Sequence, residues 1–227
     1  MNMQEGPFTY YICPMAVANN YDNIAAIYDP LSLLIFGRSL RRAQAFMLNV
    51  LTPGQRVLVV GGGAGWILEA MAARLPDGLH ITYVELSAKM TALARKRNIG
   101  GHDVDFIRGS ITAQSWPAGY FDVVFTAFFF DNFQQEAAEH IFAQLHQYLK
   151  TGGYWLFADF EVEQGQRYWQ QPLLNGMYFF FRMVSHIDAR QLQDMAALFQ
   201  AHGYTPLQQK RFYSRFVQSV IYRKGQA

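Results

Sequence analysis

The chain has 227 residues, 51% hydrophobic, 16% aromatic and 16% charged, with a formal net charge of +2. That balance excludes intrinsic disorder, collagen-like repeats and coiled coils, and the charge is too small to suggest nucleic-acid binding on bulk electrostatics. The length suits one domain, residues 1–227, with a sizeable core.

The lead, residues 1–20, reads as irregular, with Gly6, Pro7 and Pro14. It has no basic region before an apolar stretch, so it does not read as a signal peptide. The one cysteine, Cys13, precludes an intrachain disulfide and points to a reducing compartment, the cytoplasm. No apolar run reaches the ~18 residues that would span a membrane.

Residues 21–51 read as helices. Asp29-Pro30 is a cap followed by proline at the first helical position, Gly37 breaks the run, and Ser39 caps a helix through Leu51. The period then changes. Arg56–Val60 is a continuous apolar run, as a strand buried on both faces should be. A glycine cluster leads into a helix with Ile67, Ala70, Met71 and Leu75 on one face. Ile81–Val84 is a second strand, and Ser87 caps a helix carrying Met90, Leu93 and Ala94. Val104–Ile107 and Phe121–Ala127 are strands three and four. Asn132 with Gln135 resembles a capping box that opens a helix with Ile141, Leu145 and Leu149 along one stripe. Tyr154–Ala158 is a fifth strand. Asp188 and Gln191 start a late helix with Met195 and Phe199, which Gly203 ends, and two strand-like runs lie within 205–212 and 215–223. Alternating strands and helices of this length predict an α/β, doubly wound, mostly parallel sheet. Ligands of such sheets bind outside the carboxyl ends of the strands.

The most informative stretch is Val57-Leu58-Val59-Val60-Gly61-Gly62-Gly63-Ala64-Gly65. Glycines here permit a tight turn and let a ligand touch the backbone. A dinucleotide loop, G-x-G-x-x-G, needs its third glycine where Trp66 stands, which argues against a nicotinamide-dependent oxidoreductase. The G-x-G-x-G spacing suits a ligand without pyrophosphate. Glu85 ends the second strand, where a carboxylate can accept hydrogen bonds from both ribose hydroxyls. Leu86 and Met90 would then lie against an adenine face.

Residues 19–160 resemble a class I S-adenosylmethionine (SAM) dependent methyltransferase, and within that class the ubiquinone/menaquinone biosynthesis group. The residues that carry the likeness are Tyr21–Asp29, Phe36-Gly37, the GGGAG loop, Glu85-Leu86-Ser87 with Met90, the spacing from Phe106 through Trp116-Pro117 to Phe121-Asp122, and Phe128 with Asn132. The resemblance implies a Rossmann-like sheet of seven strands whose last hairpin, within 205–223, is antiparallel. It implies SAM as cofactor, with S-adenosylhomocysteine (SAH) as its product, and a small-molecule substrate rather than a nucleic acid. The cofactor contacts it implies are Tyr21, Tyr28, Gly61, Gly63, Gly65, Glu85, Leu86, Met90, Ser110, Ile111 and Ala127. Two positions depart from the family pattern. Val59 stands where an acid usually precedes the first glycine, and Ser110 where Asp or Asn usually faces the adenine amine. The chain then divides into an N-terminal helical cover (1–52), a cofactor-binding core (53–160), a substrate-lid insertion (161–187) and a C-terminal helix with strand hairpin (188–227).

Methyl transfer is an in-line displacement at a sulfonium, in which the protein positions the acceptor. An oxygen or carbon acceptor calls for a general base. Candidates near the cleft are Asp131 after strand four, Asp159 after strand five, His186 before the late helix, and Tyr28. Each has a plainer reading as a cap, turn or packing residue. The other histidines take no role, and no group has metal-ligand spacing. Tyr168, Trp169 and Tyr178–Phe181 line the insertion, which suits either a flat apolar acceptor or a core and homodimer surface. Arg38/Arg41/Arg42, Arg95/Lys96/Arg97 and Lys210/Arg211 read as solvated faces; the first two would meet anionic headgroups if the acceptor were membrane-borne. The leading function is SAM-dependent methyl transfer to a small, largely apolar or aromatic acceptor, whether quinone-like, phenolic, amine or lipid. The alternative is a degenerate SAM-binding member that acts as a partner or sensor subunit.

Overall fold

The computed structural model describes residues 22, 25–185 and 192–226, with side chains at Asp22, 30–179 and 192–226. Its centre is a seven-stranded sheet in the order β3-β2-β1-β4-β5-β7-β6. The strands are β1 (Arg56–Val60), β2 (Asp77–Glu85), β3 (Gly101–Arg108), β4 (Phe121–Ala127), β5 (Leu149–Phe160), β6 (Tyr204–Phe212) and β7 (Val217–Lys224). The first five pair in parallel, and β7 runs antiparallel to both β5 and β6. The helices are α1 (Ala25–Phe36), α2 (Ser39–Phe46), α3 (Trp66–Arg74), α4 (Ala88–Ala94), α5 (Gln135–Tyr148), α6 (Arg167–Ser185) and α7 (Met195–Ala201).

The apolar strands are buried on both faces because alternate side chains enter different cores. Leu58, Val60, Val124, Trp155 and Phe157 face α5 and α7, where Phe142 stacks on Trp155 with centroids 4.7 Å apart. Val57, Val59, Tyr83, Val123 and Phe125 face α3 and the turn after α2, against Ile67, Met71, Met47 and Leu48. A third cluster joins Phe36, Leu40 and Ala43 of α1 and α2 to Leu174, Met177 and Tyr178 of α6, over Phe160, Phe216 and Val217. The N-terminal helices and the insertion helix therefore share one apolar seam over the end of β5.

Four local expectations are corrected. Helix α1 begins at Ala25 and runs through Asp29-Pro30 rather than starting there; Pro30 is its sixth residue, past the positions whose N–H groups are unpaired, so the helix forgoes one backbone hydrogen bond at that point. The stretch after Gly37 is not one helix to Leu51: α2 ends at Phe46 and Met47–Val50 tightens into a 3₁₀ turn, and Ser39 lies inside α2 rather than capping it. Asn132 does not cap α5, because its amide donates to the carbonyls of Phe128 and Phe129 and to Asp131 Oδ1; α5 starts later, after Gln134. The late helix α7 is capped by Asp194, which accepts from Ala197 N–H at 3.0 Å; residues 188–191 lie outside the described residues.

Candidate active site

The first half of the site grows from the β1 exit. Each glycine of the loop does a different job. A Cβ on Gly61 would stand 2.6 Å from the Phe129 ring, one on Gly62 would enter the Tyr83 ring, and one on Gly65 would stand 2.6 Å from the Ala94 backbone. Packing alone demands those three. Gly63 is different: φ is +60° and a Cβ there would meet nothing within 4 Å. It is the loop position that opens onto free space.

That opening is held from behind by β2. Gly63 N–H donates to Glu85 Oε2 at 3.0 Å, and Tyr83 O–H donates to the Gly63 carbonyl at 2.8 Å. Arg97 of the α4 end donates to the Ala64 carbonyl at 2.8 Å. Tyr83 and Glu85 thus fix the loop where the family pattern would use an acid at 59; Val59 itself is fully buried in the apolar core. The other Glu85 oxygen accepts from Ser87 N–H at 2.9 Å. Burial pushes the Glu85 carboxyl above its ordinary range, against the backbone N–H groups of Ser87 and Gly63. Each oxygen has one backbone donor and keeps a lone pair for a ligand hydroxyl. Ser87 caps α4 as its sequence predicts, accepting from Met90 N–H. Asp22 was not singled out in the sequence. It accepts from Ser87 Oγ and Lys89 N–H, which brings the N-terminal segment down beside Glu85.

Around this floor, Met90 is buried against Ala64, and Leu86 is partly exposed. Ile111 is buried, and the Ser110 hydroxyl caps the turn after β3 through Thr112 N–H at 3.2 Å. Ala127 ends β4. Tyr21 and His186 lie outside the described residues, as does the side chain of Tyr28.

The second half lies at the neighbouring strand ends. Parallel pairing of β4 with β5 sets Ala127 against Ala158, which brings the turn carrying Asp131 beside Asp159; Asp159 does not follow the fifth strand as expected but lies within β5, which runs on to Phe160 because β7 pairs with it there. Asp131 and Asp159 line one small cavity with Phe130, Phe157, Phe160 and Gln193. Asp131 accepts from the Asn132 amide at 2.9 Å, and Asp159 from Phe160 N–H at 2.8 Å. Burial pushes both carboxyls up, Asp131 to about 7, and the Asp131 charge adds to the rise at Asp159. Two carboxyls buried at one cavity favour protonation, because burial disfavours the charged form and the charge of one opposes ionisation of the other. Phe128, which links β4 to Asp131, has φ +54°, a left-handed conformation that costs about 1 kcal/mol or more in a bulky residue.

Each of the three basic groups has a member engaged by the protein itself: Arg41 sits 5.3 Å over the Trp66 ring, Arg95 stacks on Phe106, and Arg211 binds Glu161. No helix among the described residues is long and apolar enough to cross a membrane.

Gly63→Val is expected to abolish cofactor binding while lowering stability by only ~1–2 kcal/mol, the cost of a β-branched residue at positive φ. Calorimetric titration beside a melting curve separates the two effects, and normal SAM affinity in the variant would make the loop purely structural.

Comparison with known proteins agrees with this geometry. Residues 57–153 match the family described as "Methyltransferase domain". A ubiquinone/menaquinone biosynthesis C-methyltransferase of Methylobacterium nodulans is 28% identical over 179 residues, 74% of this chain and 67% of the relative. The chain spans about two thirds or less of the length of the curated relatives it matches. A methyltransferase from Haloferax volcanii, solved in complex with the Trm112 methyltransferase activator, superposes with a TM-score of 0.70 at 16% identity, covering 93% of this chain and 100% of that one. The 1,6-didemethyltoxoflavin-N1-methyltransferase of Burkholderia thailandensis, solved with its substrate and SAH, gives 0.63 at 17% identity over 89% of this chain and 85% of that one. At such identity the solved structures establish the fold.

Proposed function

We propose, from the premise that this chain is a class I SAM-dependent methyltransferase, that it methylates a small, largely apolar or aromatic acceptor held between the strand ends and the helical cover. The observation that carries the reading is the buried Glu85 carboxylate, bonded to the N–H of the one loop glycine that faces open space.

SAM supplies an electrophilic methyl group on a sulfonium. Glu85 would accept the ribose hydroxyls, Leu86 and Met90 would flank the adenine, and Ser110 with the Ile111 backbone would meet its edge. The loop glycines Gly61, Gly63 and Gly65 and Ala127 would border the methionine end, and the family resemblance would add Tyr21 and Tyr28, whose side chains lie outside the described ones. The donor set fits the group: a buried acceptor-only carboxylate suits a diol, and Gly63 leaves the backbone bare beside it. Asp131 and Asp159 act as the general base for the acceptor. A carboxyl raised to about 7 is matched to that task at neutral pH. Residues 161–187, with α1, exclude water from the sulfonium and align the acceptor. His186 lies in that insertion and is a further candidate for proton transfer.

The M. nodulans relative is by name a quinone C-methyltransferase, which favours a quinol or phenol as acceptor. The test is transfer of a labelled methyl group from SAM to a panel of quinols, phenols, amines and lipids. Incorporation into the phenolic members supports the reading. SAH binding with no incorporation anywhere would favour a SAM-binding partner subunit instead.

A further inference from the structure

Three buried side-chain polar atoms among the described residues have no hydrogen-bond partner, on His102, Gln144 and Tyr178, and the last adjoins the site. Tyr178 lies on α6, the insertion helix, and is only 7% exposed. Its hydroxyl is buried and has no hydrogen-bond partner among the described residues. An orphaned buried hydroxyl costs about 1–3 kcal/mol, so a well-packed fold without a ligand would favour phenylalanine here. The side chain packs in the cluster that contains Phe160, and Phe160 adjoins Asp159 and lines the same cavity as both carboxyls. Burial, and after it the charges of Asp131 and Asp159, pushes the phenol far above its ordinary range, so it stays a donor at every working pH.

We propose that Tyr178 is a specificity-determining residue for the acceptor, its hydroxyl donating to the acceptor oxygen whose proton the Asp131/Asp159 pair removes. The proposal rests on the methyltransferase reading and deepens it. The acceptor would carry a hydroxyl on an aromatic ring. Its proton passes to the carboxylate pair. The electron pair released toward the ring would form the new carbon–carbon bond to the methyl group while the carbon–sulfur electrons stay on sulfur; the proton on the methylated ring carbon is then lost to solvent as the carboxyl pair returns its proton to the oxygen, which restores the aromatic ring. Tyr178 then holds the acceptor oxygen as its charge develops. A site built to bond a hydroxyl rejects an analogue that lacks it, because its buried donor is then left unpaired.

The test uses 2-naphthol and 2-methoxynaphthalene as fluorescent probes, titrated into the full-length protein saturated with SAH. Wild type is expected to bind 2-naphthol at least tenfold more tightly than the methyl ether. Tyr178→Phe is expected to reduce that ratio about tenfold while leaving SAH affinity and binding of the ether unchanged. It should melt no lower than wild type, since it removes an unpaired hydroxyl. An unchanged ratio in Tyr178→Phe, equal weakening of both probes, or no 2-naphthol binding by SAH-loaded wild type would each overturn the proposal. Failure of wild type to bind SAH at all would instead overturn the methyltransferase reading beneath it.

Discussion

Replacing Glu85 with alanine is expected to weaken SAM binding by at least a hundredfold. Two hydrogen bonds from the ribose to a charged acceptor are lost, each worth ~1.5–3 kcal/mol. The variant also frees the N–H groups of Gly63 and Ser87, which Glu85 holds at 3.0 and 2.9 Å. The loop would then lose its register against β2, and the cofactor would have to restore it on binding. Melting temperature should fall by only a few degrees, because removing a buried carboxylate offsets part of the loss of its backbone partners. Glu85→Gln should lie between the two, since its amide keeps one acceptor oxygen but presents a donor where the second oxygen accepts. Calorimetry with SAM and SAH checks the series, and wild-type affinity in Glu85→Ala would remove Glu85 from the cofactor floor.

Asp131→Asn and Asp159→Asn are expected to lower kcat by ~10²–10⁴, the usual worth of a positioned general base, with SAH affinity kept within a fewfold. The two pH responses run in opposite directions. Activity needs the carboxylate form, so kcat should rise as pH passes through about 7, where the Asp131 carboxyl titrates. Stability should behave in the reverse sense. A carboxyl whose folded pKa is raised lets the folded state bind more protons than the unfolded state between about pH 4 and 7. Stability is therefore full below the unfolded value and declines as pH rises through the folded one. Asp131→Asn removes that decline, so the variant should be more stable than wild type at pH 8, by ~1–3 kcal/mol. Paired kcat and melting profiles from pH 5 to 9 check both. An Asn variant that is as active as wild type would make the pair structural.

The parallel strands were legible because each is a short apolar run flanked by turn residues, the pattern of a strand buried on both faces; β1 and β4 begin and end where that pattern predicts. Helix starts were less legible. Asn132 has the right residue type for a cap, yet its amide is drawn to the carbonyls of the strained turn at Phe128, a tertiary demand that local spacing does not encode. On the cofactor side, Gly63 and Glu85 were legible as residues, but not the direct bond between them, nor the Tyr83 hydroxyl that completes it. The departure at Val59 was visible, while its replacement by two β2 side chains needed the register of β1 with β2, which sets Val59 against Tyr83. Asp131 and Asp159 were legible one at a time as strand-end carboxyls. That they face one cavity follows from the β4–β5 pairing and the antiparallel β7, whose Gln218 completes the lining. Tyr178 was hidden in a run of aromatics, where no local signal tells a buried, unpartnered hydroxyl from a packing ring.

A crystal structure of the chain with SAH decides whether Glu85 and the two aspartates share one site. Both ribose hydroxyls are expected on the Glu85 carboxylate, with the ligand passing beside Gly63 and its sulfur facing the cavity lined by Asp131 and Asp159. Adenosine bound elsewhere, or a sulfur turned away from both carboxyls, would contradict this arrangement.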